Sequence, residues 1–153
     1  MAAGQYNFTI EQGTTVNFEV QYSDSDSNPI DLTGYDHARM QIRQGPGSDL
    51  IIYLSSSTNG SSAGIIESGN PAGSDSEDYT GLSLLGPIIT PPSTSKPLSS
   101  GSIGVFISAK HTSNFDFDKA QYDLELVSGS GTNPIVYRIL EGKIKLSKEI
   151  TKD

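Results

Sequence analysis

Residues 122–151 read YDLELVSGSGTNPIVYRILEGKIKLSKEIT, and this stretch decides the fold class. Tyr122, Leu124 and Leu126 alternate with Asp123, Glu125 and Val127, a period of two that puts one apolar row on one sheet face. After a connection rich in Gly, Ser, Asn and Pro, Val136, Leu140, Ile144 and Leu146 share one parity of a second extended run. Gly142 interrupts that run, and a glycine inside a strand marks a bulge or a close backbone approach. Lys143 and Lys145 take the opposite parity. The two runs predict a β-hairpin with one wet and one dry face. Such a pair is only marginally stable alone, so other strands must cover its apolar side.

The chain upstream supplies them. Residues 6–10 (YNFTI) put Tyr6, Phe8 and Ile10 on one face, and 15–22 (TVNFEVQY) put Val16, Phe18, Val20 and Tyr22 inward. SDSDSNPIDLTG is a turn region holding the anchor pair Ile30 and Leu32. Residues 37–43 (HARMQIR) bury Ala38, Met40 and Ile42. Residues 50–54 (LIIYL) are apolar throughout, as expected of a strand covered on both faces. IGVFIS at 103–108 is a further strand, and Phe115 and Phe117 tuck under the sheet before the Tyr122 strand begins. Gly64–Glu67 reads as a short strand. No segment has helical periodicity of useful length. Seven or eight short strands joined by Gly, Pro, Asn and Asp predict an all-β fold, an antiparallel β-sandwich of immunoglobulin-like shape.

At 153 residues the chain is one domain, 1–153, able to bury about 70% of its unfolded surface. Only 34% of its residues are hydrophobic, and the shortfall lies in 55–78 and 86–101. Residues 55–102 therefore read as a long Ser/Gly/Pro-rich insertion or arm. Within it, LSLLGPIIT carries Leu82, Leu84, Leu85, Ile88 and Ile89. Two readings stand side by side: these residues dock on something outside the core, or they complete the domain's own sheet.

A net charge of −8 and a pI near 4.6 repel phosphate, so nucleic acid is not an expected partner. Lys143, Lys145, Lys148 and Lys152 form the basic cluster, either a solvated face that protects an edge or a site for an acidic partner. Without cysteine there is no disulfide and no thiolate metal site, and two distant histidines make a zinc site improbable. No run reaches membrane-spanning length, and residues 1–15 lack a signal peptide's basic start and apolar core.

The search for chemistry yields no catalytic constellation. Asp24, Asp26, Asn28 and Asp31 alternate as calcium ligands can, but Pro29 and Tyr35 stand where an EF-hand loop needs Gly and Glu. A polar turn explains the same residues. Asp75, Glu77 and Asp78 read as solvating charge, and Asp116, Asp118 and Asp123 as carboxylates that could meet in space. There is no nucleophile elbow, P-loop, GxGxxG or HExxH. No enzyme activity and no cofactor or metal are expected.

The ordered set GTTVNFEVQYSDSDSNPIDLTGYDHARMQIR, YDLEL and RILEGKIKLSKEIT resembles the N-terminal domain of phage baseplate upper proteins and related small tail-associated proteins. The likeness covers residues 5–54 and 103–151 and leaves out the middle. It implies a β-sandwich adaptor of a phage virion, at the tail or baseplate or anchoring a fibre, that carries no catalytic residues. The partners it implies are other virion structural proteins, in several copies by symmetry. The docking residues expected on this reading are Leu82, Leu84, Leu85, Ile88, Ile89, Lys143 and Lys145. Two alternatives are a capsid decoration protein and a carbohydrate-binding β-sandwich module, the latter using Tyr53, Tyr79 and Tyr137 as its exposed aromatics.

Overall fold

The alternation of Tyr122, Leu124 and Leu126 with polar neighbours is realised in β11 (Lys119–Ser128). Ala120, Tyr122, Leu124 and Leu126 are buried there, and Lys119 and Gln121 are exposed. The computed structural model describes residues 3–48, 50–56, 63–67, 81–90, 93–94, 96–129 and 133–150. The other strands are β1 (Gly4–Gln5), β2 (Phe8–Glu11), β3 (Val16–Gln21), β4 (His37–Arg43), β5 (Leu50–Ser56) and β6 (Ala63–Glu67). They continue with β7 (Gly81–Ser83), β8 (Ile88–Thr90), β9 (Ser93–Thr94), β10 (Ser102–Ile107) and β12 (Ile135–Ser147). A single helical turn, α1 (Ala109–Thr112), interrupts the run that precedes β11.

The large sheet has the order β1-β12-β11-β4-β5-β6, with β2 following β1 along the same side of β12. The smaller sheet has the order β3-β10-β7, and β8-β9 is a separate two-stranded ribbon. All pairings are antiparallel except those of β1 and β2 with β12, which are parallel. The fold is mostly β, as the sequence predicts.

One hydrophobic cluster joins the two sheets. Met40, Ile42, Ile52, Leu54, Leu124 and Leu126 come from the large sheet, and Leu82, Ile103, Val105 and Ile107 from the small one. Each fully buried aliphatic side chain is worth about 1.5–3 kcal/mol relative to exposure, so this shared face is the main stabilising term. Phe115 and Phe117 close one end of the core, their rings 5.6 Å apart. In the turn after β3, Asp24 accepts backbone N–H bonds from Asp26 and Asn28. Asp31 caps the short 3-10 turn Leu32–Gly34 through the Thr33 N–H. Leu32 is thereby delivered fully buried into the core.

Two sequence expectations need correction. Leu82 and Leu84 are 1% and 0% exposed, and β7 hydrogen-bonds along β10. Their apolar area is already covered: Leu82 belongs to the domain's own sheet and Leu84, just past the end of β7, to the core, so neither is exposed to a docking partner. Val136 does not share a face with Leu140. The pairing of β11 with β12 shifts between Leu124 and Glu125, which oppose Leu140 and Arg138, so Ile139 is an extra residue. That bulge reverses the parity of everything before it. Ile135 and Tyr137 fall on the core side, and Val136 falls on the outer side.

Candidate interaction surface

Strand alternation sends the polar residues of β4, β11 and β12 to the outer face of the large sheet, and the registers align them in rows. Arg43, Gln121 and Lys143 form one row, Gln41, Asp123 and Glu141 the next, and Arg39, Glu125 and Arg138 the third. The first two rows and Arg138, together with Gln5 and Asn7, line a shallow groove of about 690 Å³, and Arg39 and Glu125 lie beyond it. Hydrogen bonds and ion pairs tie residues within and between these rows. Arg39 Nε donates to Glu125 Oε1 at 2.7 Å. Arg43 donates to Gln41 Oε1 and to the Ser48 carbonyl oxygen. Arg138 bridges Asp123 at 3.4 Å and Glu141 at 3.6 Å.

Asp123 lies directly opposite Glu141, a like-charged pair that costs stability unless a cation spans it. Arg138 is that cation. Even so, partial burial and then the nearby Glu125 carboxylate hold the Asp123 pKa above its ordinary value. At the other end of the groove the sign reverses. Lys119 lies directly opposite Lys145, and Arg43 and Lys143 flank Gln121 two residues further along the strands. Four cations are thus gathered at one end of an outer face in a chain whose net charge is −8.

Gly142 sets the floor of the groove. A Cβ there would lie 2.0 Å from the Tyr6 carbonyl oxygen, so the glycine is a close backbone approach, one of the two alternatives its position predicts. The approach is fastened on three sides. The Tyr6 N–H donates to the Glu141 carbonyl, the Lys143 N–H donates to Asn7 Oδ1, and the Tyr122 hydroxyl donates to the Tyr6 carbonyl at 2.6 Å. Desolvation pushes the Tyr122 phenol well above its usual pKa.

Of the residues expected to dock a partner, Lys143 and Lys145 are exposed on this face. Leu85 is half-buried, Leu82 and Leu84 are internal, and the side chains of Ile88 and Ile89 lie outside the described residues. Lys148 is engaged with Asp116 and Asp118, at 3.5 and 3.7 Å, and so leaves the basic cluster. Lys152, Tyr79, Asp75, Glu77 and Asp78 lie outside the described residues. Asp123 does not join Asp116 and Asp118, because it faces Arg138 across the groove. His37 pairs with Asp36, and His111 is buried in α1.

Sequence reasoning missed Lys119, Arg43 and Arg138 as members of the surface. The first two were visible as outward-parity cations, but their neighbours depend on strand pairing. It also missed two large apolar residues left exposed, Ile135 at 55% and Val136 at 40%, whereas Tyr137, expected to be exposed, is 45% exposed. Among the described residues, no group of three His, Cys, Asp or Glu side chains is placed to hold a metal ion, and no helix is long and apolar enough to cross a membrane. No protein-family model matches the chain, and a search of curated proteins returns no match.

Proposed function

We propose that this chain is a non-enzymatic structural component of a phage virion, an adaptor of the tail or baseplate or an anchor for a fibre, working through protein–protein contacts. The stretches that carry the resemblance support this reading by their placement. HARMQIR is β4, YDLEL lies in β11 and RILEGKIKLS lies in β12, three adjacent strands of one sheet. The strand order supports the finer, immunoglobulin-like description. A β12-β11-β4-β5-β6 sheet facing β3-β10-β7 corresponds to the GFCC′C″ and BED strands of a variable-type sandwich.

The observation that carries the contact function is the basic end of the outer face. Lys119 and Lys145 oppose each other, an arrangement that costs stability in the free chain and is relieved by an acidic neighbour. The partner surface is therefore acidic, on another structural protein of the particle. The test is quantitative mass spectrometry of purified particles. The expected result is this chain at a fixed ratio to the other structural proteins. Incorporation should fall about tenfold when Lys119 and Lys145 are both changed to Glu. Intact particles lacking the chain would contradict the proposal.

A second reading, a carbohydrate-binding module, draws on the amides of Gln5, Asn7, Gln41 and Gln121 in the groove. A glycan array separates the two readings, because the adaptor reading expects no binding there.

A further inference from the structure

Three lysines at the cationic end of the outer face lack a counter-charge. Lys119, Lys143 and Lys145 are exposed and make no ion pair among the described residues. With Asn7, Gln44 and Gln121 they line a second cavity, of about 340 Å³, and among the described residues no carboxylate lines it. It adjoins the larger groove at Asn7, Gln121 and Lys143, which line both. Asn7 accepts the Lys143 N–H through Oδ1, which leaves its NH2 group to donate. The side-chain amides of Gln44 and Gln121 make no hydrogen bond among the described residues.

This lining discriminates between anions. Phosphate offers acceptors only and suits the planar fork of arginine. The guanidinium of this end, Arg43, is already bonded to Gln41 and to the Ser48 carbonyl. A neutral glycan leaves the ammonium groups without a counter-charge. A peptide supplies both needs: carboxylates for the lysines, and N–H and C=O groups for carboxamides that donate and accept. Spacing sets its form. Lys143 and Lys145 are alternate residues of β12, about 6.7 Å apart along the strand, the separation of alternate side chains in an extended peptide. Lys119 lies directly opposite Lys145 and makes that end a seat of two ammonium groups. We propose, building on the reading of this end as a contact for an acidic protein, that its occupant is an extended peptide segment with a carboxylate at every second residue, lying along β12 over Lys143 and Lys145.

Fluorescence anisotropy of the full chain with a labelled Ser/Glu heptapeptide, its three Glu alternating with Ser, is the test. Binding near 100 µM is expected at low salt, weakening as salt screens the charges. An isomer with the three Glu consecutive turns its middle carboxylate away from the sheet and should bind about threefold more weakly. Lys143→Gln and Lys145→Gln should each weaken binding about threefold. Lys96→Gln removes the same charge from the small sheet, where Lys96 pairs with Glu19 of β3, and should change binding by less than about 1.5-fold. Circular dichroism confirms that the variants fold. No binding, equal affinity for the two isomers, or a Lys96→Gln loss equal to that of Lys143→Gln would overturn the proposal. So would displacement of the peptide by an equal concentration of inorganic phosphate or of a uronic-acid oligomer. The free chain is measured, so a failure here leaves particle incorporation to decide the adaptor reading.

Discussion

The Tyr122 hydroxyl donates to the carbonyl oxygen of Tyr6, 116 residues away in sequence, at 2.6 Å. It is a direct side-chain tie between the centre of the large sheet and the segment that joins β1 to β2. Tyr122→Phe removes the donor while keeping the ring, which packs edge-on against Phe8 at 5.3 Å. The expected loss is about 1–2 kcal/mol by urea denaturation. The fold holds the phenol protonated, so its contribution is complete below the unfolded pKa of about 10 and fades as pH rises above it. The wild type should therefore lose part of its advantage over Tyr122→Phe in that alkaline range.

Gly142→Ala tests the close approach from the other strand. The added methyl group would sit 2.0 Å from the Tyr6 oxygen, a backbone atom that cannot swing aside. A cost of about 2–3 kcal/mol is expected, as for overpacking elsewhere in folded interiors. Gly34→Ala is the control. Nothing lies within 4 Å of its Cβ position, and its stability should change by no more than about 0.5 kcal/mol.

Leu84→Ala measures whether residues 81–85 belong to the core. Leu84 is fully buried in the hydrophobic cluster, so truncation should cost about 2–5 kcal/mol. The half-buried Leu85 should tolerate the same change at a cost of roughly 1 kcal/mol. Equal, small effects at both positions would mean that this segment contributes nothing to the core.

Asp123→Asn reads the like-charged pair across β11 and β12. A carboxyl whose folded pKa is raised leaves stability intact below its unfolded value of about 3.9, and stability is lost as pH rises through the folded pKa. The asparagine variant escapes that loss. It should be slightly more stable than the wild type at pH 7, by less than about 1 kcal/mol because solvent screens a group this exposed. The difference should close near pH 3. Thermal melts at both pH values check it.

Much of this architecture could be read from alternation alone. Ala38, Met40 and Ile42, and Tyr122, Leu124 and Leu126, are buried as their parity requires, and Phe115 and Phe117 lie under the sheet. Asp31 caps its turn where a polar turn was expected. The failures share one physical cause, because they depend on partners distant in sequence. The bulge at Ile139 appears only when β12 is laid against β11, and it moves Val136 to the outer face. Leu82 and Leu84 sit in a Ser- and Pro-rich neighbourhood that hides the pairing of Leu82 with β10 and the burial of Leu84 just after it. The basic end was half legible, since Lys143 and Lys145 stood out in the text. Lys119 joined them only through the register that sets it opposite Lys145.

The most direct test of the adaptor reading is a cryo-electron microscopy map of the intact particle. The account predicts density for this chain at the tail or baseplate, with Lys119, Lys143 and Lys145 facing an acidic surface of a neighbouring structural protein. A particle without the chain, or one in which that end of the large sheet faces only solvent, would contradict it.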